Sequence, residues 1–183
     1  MIPKTLDRRA RKTRASLTHC LLQLMQEKDI KDISVRELSD LADINRGTFY
    51  LHYSDIYDMI NQLEDDFFAE FEAVIRADLQ QDGITDTPYD VLYDVFSVIH
   101  KNRALAKALI GPHGDLSFVN RMKHMVEERL KEVLSAPQGT EHLEYHLAFI
   151  ISGYVGVIET WLRTDSPLSP REMAALCTSM SGR

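Results

Sequence analysis

Hydroxyl, aromatic and basic side chains are concentrated in one short stretch near the N-terminus, residues 45–53. The guanidinium group of Arg46 can donate to guanine or to phosphate oxygens, and Thr48 offers a hydroxyl and a methyl group to a thymine or a phosphate. This combination is typical of contact with DNA. The residues expected at such a surface are Arg36, Asn45, Arg46, Gly47, Thr48, Tyr50, His52 and Tyr53. Tyr53, like Phe49, can instead pack the fold.

A second basic cluster precedes this stretch. Residues 4–14 contain six Lys or Arg residues and a single aspartate. Although the net charge of the chain is −7, residues 1–53 carry ten basic and seven acidic residues, whereas residues 54–183 carry eleven and twenty-one. Phosphate contacts supply most of the nonspecific affinity for DNA, so this basic arm is predicted to bind phosphates. The expected contacts are Lys4, Arg8 and Arg11. The alternative is a solvated, disordered tail.

Helix-capping signals position the candidate residues. Ser34 and Glu37 form a capping box, in which each side chain accepts a hydrogen bond from the other residue's backbone N–H, so a helix is predicted directly after the serine. Asp43 can adopt the left-handed conformation that ends a helix, and Asn45 can cap a second short helix over residues 46–51. Two short helices joined by a tight turn are typical of a helix-turn-helix.

A Gly-Thr-Phe-Tyr run follows the first of these two helices at a fixed distance from its apolar positions. The residues that make up this pattern are Ser34, Val35, Leu38, Ala42, Ile44, Gly47, Thr48, Phe49, Tyr50, His52 and Tyr53. With them, the segment from Ser34 to Ile60 resembles the DNA-binding domain of the tetracycline-repressor (TetR/AcrR) family. Two positions depart from the family pattern. The usual turn glycine is Asp43, and the lysine that usually holds a phosphate at the start of the fourth helix is Ile56.

The resemblance implies an all-α fold of about nine helices. Residues 1–53 are expected to form a three-helix, helix-turn-helix DNA-binding domain with the basic arm, and residues 54–183 a helical regulatory and dimerisation domain. Helical periodicity agrees with this fold class. Outside the helix-turn-helix, helices are predicted at residues 13–27, 56–80, 88–101, 104–110, 116–134 and 142–164, with a last helix after Ser169. That last helix begins with a second capping box, formed by Ser169 and Glu172.

The segment from Tyr145 to Thr164 is apolar around most of its circumference, which is unusual for a surface helix of a monomer. Gly153 and Gly156 remove side chains from one stripe and permit close approach of another helix. Proteins of the resembled family dimerise through their last two helices. We therefore expect a homodimer that reads two half-sites of an operator in double-stranded DNA. The alternative is a helix that is wholly internal to one chain.

The resemblance also implies a cavity for an effector in the C-terminal domain. The expected lining residues are Tyr93, Phe96, His100, Met122, Tyr154 and Trp161. Such side chains at helical spacing are also common in an ordinary core. The C-terminal stretch is weakly similar to regulators of dihydroxyacetone kinase operons, which leaves open a partner protein, rather than an unknown small molecule, as the effector.

Other classes of function lack their sequence signatures. The chain has no Gly-rich phosphate loop, no Gly-x-Ser-x-Gly elbow and no His-Glu-x-x-His motif, so an enzyme is not expected. No cofactor is expected, and His142 with His146 lacks a third metal ligand at a suitable spacing. The two cysteines are expected to be buried free thiols. Without a signal-peptide or membrane-spanning pattern, the chain is predicted to be a cytoplasmic transcriptional repressor.

Overall fold

The computed structural model of the chain describes residues 4–79, 88–110, 116–134, 142–164 and 166–181. Within these ranges the chain is helical and has no β-strand, so the predicted all-α fold class is confirmed. The nine α-helices of the described residues are α1 (Lys4–Leu24), α2 (Val35–Leu41), α3 (Arg46–Tyr50), α4 (Ile56–Leu79), α5 (Pro88–Lys101), α6 (Arg103–Ile110), α7 (Leu116–Leu134), α8 (Leu143–Arg163) and α9 (Pro170–Ser181). A short 3₁₀ turn, Ile30–Asp32, lies between α1 and α2.

The chain folds as two compact units. Unit 1 comprises the described residues up to Glu64, and unit 2 comprises the described residues from Asp65 onward. The change of unit falls inside α4, so this single helix contributes to both cores. The division expected from the sequence, after Tyr53, lies before α4 begins.

The core of unit 1 is built from α1, α2, α3 and the first part of α4. Its completely buried apolar side chains are Leu17, Leu21, Leu38, Phe49 and Met59. In α1 and α4, buried positions recur at three- or four-residue spacing and form one apolar face, against which the few buried residues of α2 and α3 pack. Helices as short as α2 and α3 are stable only when such faces pack together.

The basic arm belongs to α1. The helix begins at Lys4, although periodicity predicted a start near residue 13. Arginine, lysine and alanine all favour a helix, and residues 4–14 contain no glycine or proline to end one. The basic side chains of this region are therefore carried on a helix surface rather than on an extended tail.

Trp161 lies in the core of unit 2, where only 2% of its surface is exposed. Its indole N–H donates to the backbone carbonyl of Leu168 at 3.0 Å, which ties α8 to the segment before α9. The ring of Phe96, from α5, meets the indole edge-on at 5.3 Å between centroids. The guanidinium group of Arg103 lies over the same indole at 4.9 Å and donates to the Trp161 carbonyl at 3.2 Å. One aromatic side chain therefore joins α5, α6 and α8.

Both cysteines are buried free thiols, as the sequence predicted. Burial raises the pKa of the thiols of Cys20 and Cys177. Both side chains therefore remain protonated at neutral pH and act as small apolar groups of the two cores.

The two predicted capping boxes differ in the structure. At α9 the box is complete, because the Ser169 N–H donates to the Glu172 carboxylate at 2.8 Å and the Glu172 N–H donates to the Ser169 hydroxyl at 3.3 Å. At α2 the Glu37 N–H donates to the Ser34 hydroxyl at 3.1 Å, but the predicted return bond is wrong. The Glu37 carboxylate instead accepts from the ammonium group of Lys28 at 2.5 Å, since a charged donor binds it more strongly than an N–H.

Helix α8 is the one helix in the described residues that is long and apolar enough to cross a membrane, judged by length and composition alone. Only 22% of its apolar window is buried within the single chain. Tyr145, Phe149 and Ile150 are 70%, 82% and 42% exposed. A Cβ atom placed on Gly153 or Gly156 would meet no atom within 4 Å. The alternative of a wholly internal helix is therefore wrong.

The complete capping box predicts a pH-dependent contribution to stability. Hydrogen bonds from the side chain and the N–H of Ser169 lower the pKa of Glu172. A carboxyl with a lower pKa in the folded state stabilises the fold above its unfolded pKa, and this contribution is lost as the pH falls through the folded pKa. We expect Ser169→Ala to lower the free energy of unfolding at neutral pH, and the difference from wild type to shrink toward about pH 3. Urea unfolding at a series of pH values measures this difference.

The matched control is Ser179→Ala, which removes a hydroxyl from the same helix. That hydroxyl donates to the Leu176 carbonyl at 2.7 Å and contacts no carboxylate in the described residues. Its effect on stability should not change with pH. An effect of Ser169→Ala that is equally independent of pH would contradict the prediction.

Candidate nucleic-acid interface and cavity

A side-chain cap and a buried ring hold α3, which is five residues long. The amide oxygen of Asn45 accepts from the Gly47 N–H at 2.8 Å, as predicted. A Cβ atom at Gly47 would lie 3.2 Å from that oxygen, so glycine leaves the cap uncrowded. The fully buried Phe49 packs against the rings of Tyr50 and Tyr53, with centroid distances of 5.5 and 5.7 Å. These contacts determine where α3 lies in unit 1.

The turn between α2 and α3 depends on Asp43. Its φ of 53° is left-handed, as predicted for the residue at the usual glycine position. Aspartate adopts this conformation more readily than most residues other than glycine. The Ile44 N–H then donates to the Ser39 carbonyl at 3.0 Å, which satisfies an otherwise unpaired group at the end of α2.

Most of the residues expected to contact DNA lie at the surface of unit 1. Tyr50 has 57% of its surface exposed. Around it, Asn45, Arg46 and Gly47 are exposed, and Thr48 and His52 are half-buried. Arg36 is exposed on α2 and pairs with Asp40 at 3.8 Å. Helix α3 therefore directs its basic, hydroxyl and phenol groups to solvent.

Tyr53 is not part of this surface. Only 5% of it is exposed, and the guanidinium group of Arg14 lies over its ring at 5.4 Å. The same guanidinium group donates to the side-chain carbonyl of Gln62 at 2.7 Å, which braces α1 against α4 within unit 1. Of the two roles that the sequence left to Tyr53, the structure favours packing, because its ring is enclosed by Phe49 and Arg14.

Helix α1 adds exposed cations to unit 1. Arg8, Arg11 and Lys12 are exposed, and Arg11 and Lys12 follow Arg8 by three and four residues, so both lie on the same side of the helix as Arg8. The side chain of Lys4 lies outside the part of the chain that the structure describes. A row of exposed cations of this kind suits contact with phosphates.

Sequence analysis misses two exposed apolar residues beside α3. Leu51 is 81% exposed and Tyr57 is 56% exposed. An apolar side chain beside a basic surface can contact the methyl group of a thymine. The spacing in the sequence could have indicated that Leu51 is exposed. Phe49 and Tyr53 are four residues apart and share the buried face, whereas Leu51 is two residues from each and therefore lies on the opposite face.

Unit 2 contains a cavity of about 340 Å³ between α4, α5, α6, α7 and α8. Of the expected lining residues, Phe96, Met122 and Tyr154 form part of its wall. The other wall residues are Phe67, Phe71, Ile75, Val91, Leu92, Val95, Ile99, Ile110, Phe118, Val119, Lys123, Val126, Leu130, Leu147, Ile150, Ile151, Val155 and Ile158. The volume falls within the range of about 300 to 1,000 Å³ that is typical of small-molecule sites.

Tyr93, His100 and Trp161 lie outside the cavity wall. Trp161 packs against Phe96 in the core, and His100 is exposed and stacks on the indole at 6.0 Å. The guanidinium group of Arg171, from α9, lies over the Tyr93 ring at 5.8 Å. Helical spacing places Tyr93 and Phe96 on one broad face of α5. Helix α9 packs along α5 and covers the part of that face that includes Tyr93, so Tyr93 does not reach the cavity.

The wall residue that sequence analysis misses is Lys123. It is the one charged residue among the described wall residues. The pattern Val119, Lys123, Val126 and Leu130 advances by four, three and four, so the lysine occupies a position on the apolar stripe of α7. A lysine at an otherwise apolar position of the helix could therefore have been predicted from the sequence to line the cavity.

Acidic residues of α4 tie this helix to its neighbours in unit 2. Asp65 accepts from Arg121 of α7 at 3.1 Å. Glu70 accepts from Lys101 at 2.5 Å and from Asn102 at 2.9 Å, and these hydrogen bonds lower the pKa of the glutamate. Such exposed pairs contribute little stability individually, about 1 kcal/mol or less. They do hold α4 in register with α7 and with the junction of α5 and α6.

Comparison with known proteins identifies regulators of transcription. The TetR-type family model described as "Transcriptional regulator C-terminal region" matches residues 86–182. YxbF of Bacillus subtilis (strain 168), an uncharacterized HTH-type transcriptional regulator, is 33% identical over 101 residues, which cover 52% of this chain and only 26% of that protein. The HTH-type transcriptional regulator AcrR of Shigella flexneri is 23% identical over 171 residues, which cover 84% of this chain and 80% of AcrR.

A solved structure shares the fold over nearly the whole chain. The TetR transcriptional regulator from Streptococcus agalactiae 2603V superposes with a TM-score of 0.63, covering 98% of both chains. The two sequences are 21% identical. At that identity the likeness establishes the all-α fold alone.

The Asn45 cap predicts the behaviour of two matched variants. Asn45→Ala removes the acceptor for the Gly47 N–H, and loss of such a cap lowers the free energy of unfolding by about 0.5 to 2 kcal/mol. Asn45→Asp keeps an acceptor at the same place and should remain close to the wild type. Urea unfolding followed by circular dichroism measures both. An alanine variant as stable as the wild type would contradict the proposed role of the cap.

Proposed function

Because the chain belongs to the TetR/AcrR family of transcriptional regulators, we propose that it is a homodimeric repressor that binds operator DNA through α3 and is released by an effector bound in unit 2. The observation that carries this proposal is the orientation of α3. The Asn45 cap and the buried ring of Phe49 hold α3 in unit 1. Arg46, Thr48 and Tyr50 remain at the surface.

The proposed roles of the surface residues follow from their chemistry. Arg46 donates to a guanine edge or a phosphate, and Thr48 contacts a thymine methyl group or a phosphate. Tyr50 and His52 donate to phosphates. The exposed arginines of α1 add sequence-independent affinity, because each phosphate that a cation neutralises releases counterions from the DNA. In this proposal α3 lies in the major groove and α1 adds contacts to the phosphate backbone.

The exposed apolar face of α8 supports a homodimer. TetR-family regulators act as dimers, and a two-fold dimer allows two copies of α3 to read half-sites about 34 to 36 Å apart. Phe149 and Tyr145 would be covered by the second copy, and the open stripe at Gly153 and Gly156 would receive its helix. Met180 of α9 is also exposed, at 61%, and would offer a further apolar side chain to the second copy. Covering this face in a dimer also suits a cytoplasmic protein better than leaving α8 exposed.

The cavity of unit 2 supports a small molecule as the effector. Its volume is large enough for a ligand, and three of the residues expected there, Phe96, Met122 and Tyr154, belong to its wall. A partner protein is the second candidate, and the observation that favours it is the apolar surface of α8 and α9. That surface is already required for the proposed homodimer, so the small-molecule reading is preferred.

Helix α4 is the proposed route from the effector to the DNA-binding unit. Ile56, Met59 and Ile60 are buried in unit 1, and Phe67 and Phe71 form part of the cavity wall in unit 2. An effector can shift this helix only if it binds one arrangement more tightly than the other. A hundredfold preference corresponds to about 2.7 kcal/mol per site.

Two variants of α3 test the DNA-binding proposal. Arg46→Ala should weaken binding to an operator by roughly tenfold or more, since a good guanine contact contributes about 1 to 3 kcal/mol. Tyr50→Phe removes one hydroxyl and should cost roughly threefold to tenfold. The probe is a labelled duplex selected from a random-sequence pool with the wild-type protein, and fluorescence anisotropy at one fixed salt concentration gives the affinities.

Arg76→Ala is the matched control for these variants. It removes an exposed arginine from unit 2, where its guanidinium group pairs with Glu72 at 2.8 Å. It should bind the same duplex as the wild type does. If folded Arg46→Ala and Tyr50→Phe proteins also kept wild-type affinity, α3 would not be the reading helix.

Substitution on α8 tests the proposed dimer. Phe149→Glu places a charge on a surface that the second copy would bury, so the protein should become monomeric at micromolar concentration. The matched control is Leu116→Glu on α7, because Leu116 is 78% exposed, close to the 82% of Phe149. Light scattering after size-exclusion chromatography gives the mass of each. A wild type that is already monomeric, or a dimeric Phe149→Glu protein, would rule out this interface.

A further inference from the structure

The wall of the unit 2 cavity is almost entirely hydrocarbon. Among the described wall residues, only Tyr154 and Lys123 carry polar side-chain groups, and none is acidic. A polar body placed in such a cavity would lose its water without gaining hydrogen-bond partners. The part of a ligand that enters the cavity is therefore apolar, and a cationic ligand would find no counter-charge there.

Lys123 is the distinctive group of this cavity. It is half-buried on α7 between the wall residues Val119 and Val126. In an almost wholly apolar wall, a half-buried lysine is expected to contact the cavity through its methylene stem and to extend its ammonium group toward water. This arrangement would put the cation at the rim of the cavity.

The charge of Lys123 is not neutralised within the described part of the chain. Glu127, four residues further along α7, is the nearest acid in sequence at helical spacing, but its carboxylate accepts from Lys131 at 2.8 Å. No ion pair or hydrogen bond joins the Lys123 ammonium group to another described residue. A cation beside an apolar cavity, with the neighbouring acid already paired, is a complementary site for an anionic head group.

The volume limits the size of the apolar body. A cavity of about 340 Å³ lies near the lower end of the range that is typical of small-molecule sites, which suits a hydrocarbon chain of medium length. We propose that this cavity binds an amphipathic anion, with a medium-length hydrocarbon body among the apolar walls and one carboxylate or equivalent head group at Lys123. This inference rests on the proposed function, because it names the chemical class of the effector.

The same geometry gives the ligand access to α4. The hydrocarbon body would contact Phe67 and Phe71 of that helix. The head group would lie at Lys123 of α7. An amphipathic anion can therefore act on α7 and α4 together, whereas an apolar ligand that does not need Lys123 would act through the wall alone.

Isothermal titration calorimetry of the full chain tests the proposal, with decanoate as the probe and decan-1-ol as its uncharged match. The wild type should bind decanoate about tenfold more tightly than decan-1-ol, since a charge-assisted contact contributes on that order. Lys123→Met keeps an unbranched side chain of similar length and removes the charge. It should lose that tenfold preference, and Lys123→Arg should retain it. Lys31→Met, which changes an exposed lysine of unit 1, should bind both probes as the wild type does.

A second variant locates the binding site. Val155→Trp fills the cavity from α8 and should abolish the binding of both probes, with circular dichroism confirming that the protein stays helical. Undetectable decanoate binding by the wild type, equal binding by wild type and Lys123→Met, or unchanged binding by Val155→Trp would each overturn the proposal. These measurements contain no DNA, so their failure is distinct from failure of the operator-binding test.

Discussion

The burial of one continuous helix, α4, in two cores is the constraint on which the rest of the structure depends. Its 24 residues extend over about 36 Å at 1.5 Å per residue. Ile56, Met59 and Ile60 belong to the core of unit 1, and Phe67 and Phe71 belong to unit 2. Its start is capped by the Asp55 carboxylate, which accepts from the Asp58 N–H at 2.8 Å. Within unit 2, its acidic residues also pair with α7 and with the junction of α5 and α6.

The candidate DNA-binding surface is a consequence of what unit 1 buries. A helix of five residues has too few internal hydrogen bonds to be stable alone, so α3 exists because Asn45 caps it and Phe49 anchors it. The two groups that hold it leave the remaining side chains of α3 at or near the surface. Tyr53 is the converse case. Its ring packs against Phe49 and Arg14 in the core of unit 1, so it is not available at the surface.

Local signals predict this fold well because capping and apolar spacing act within a few residues. The caps at Asn45 and Ser169 and the left-handed Asp43 are of this kind. The return bond of Glu37 could not be predicted, because Lys28 competes for that carboxylate from outside the helix. The cavity wall was predictable only in part for a similar reason. Spacing places Phe96 and Tyr93 on one broad face of α5, but only the packing of α9 decides which of them reaches the cavity.

Trp161 has a consequence for how this protein can be observed. It is the single tryptophan of the sequence, and it is buried in unit 2 against Phe96, which is itself a wall residue of the cavity. An enclosed indole emits at shorter wavelengths than one in water, and its emission responds to the packing of adjacent rings. Intrinsic tryptophan fluorescence therefore reports on unit 2 without a contribution from unit 1, which contains no tryptophan. Melting of unit 2 and filling of its cavity can thus be followed in the unlabelled protein.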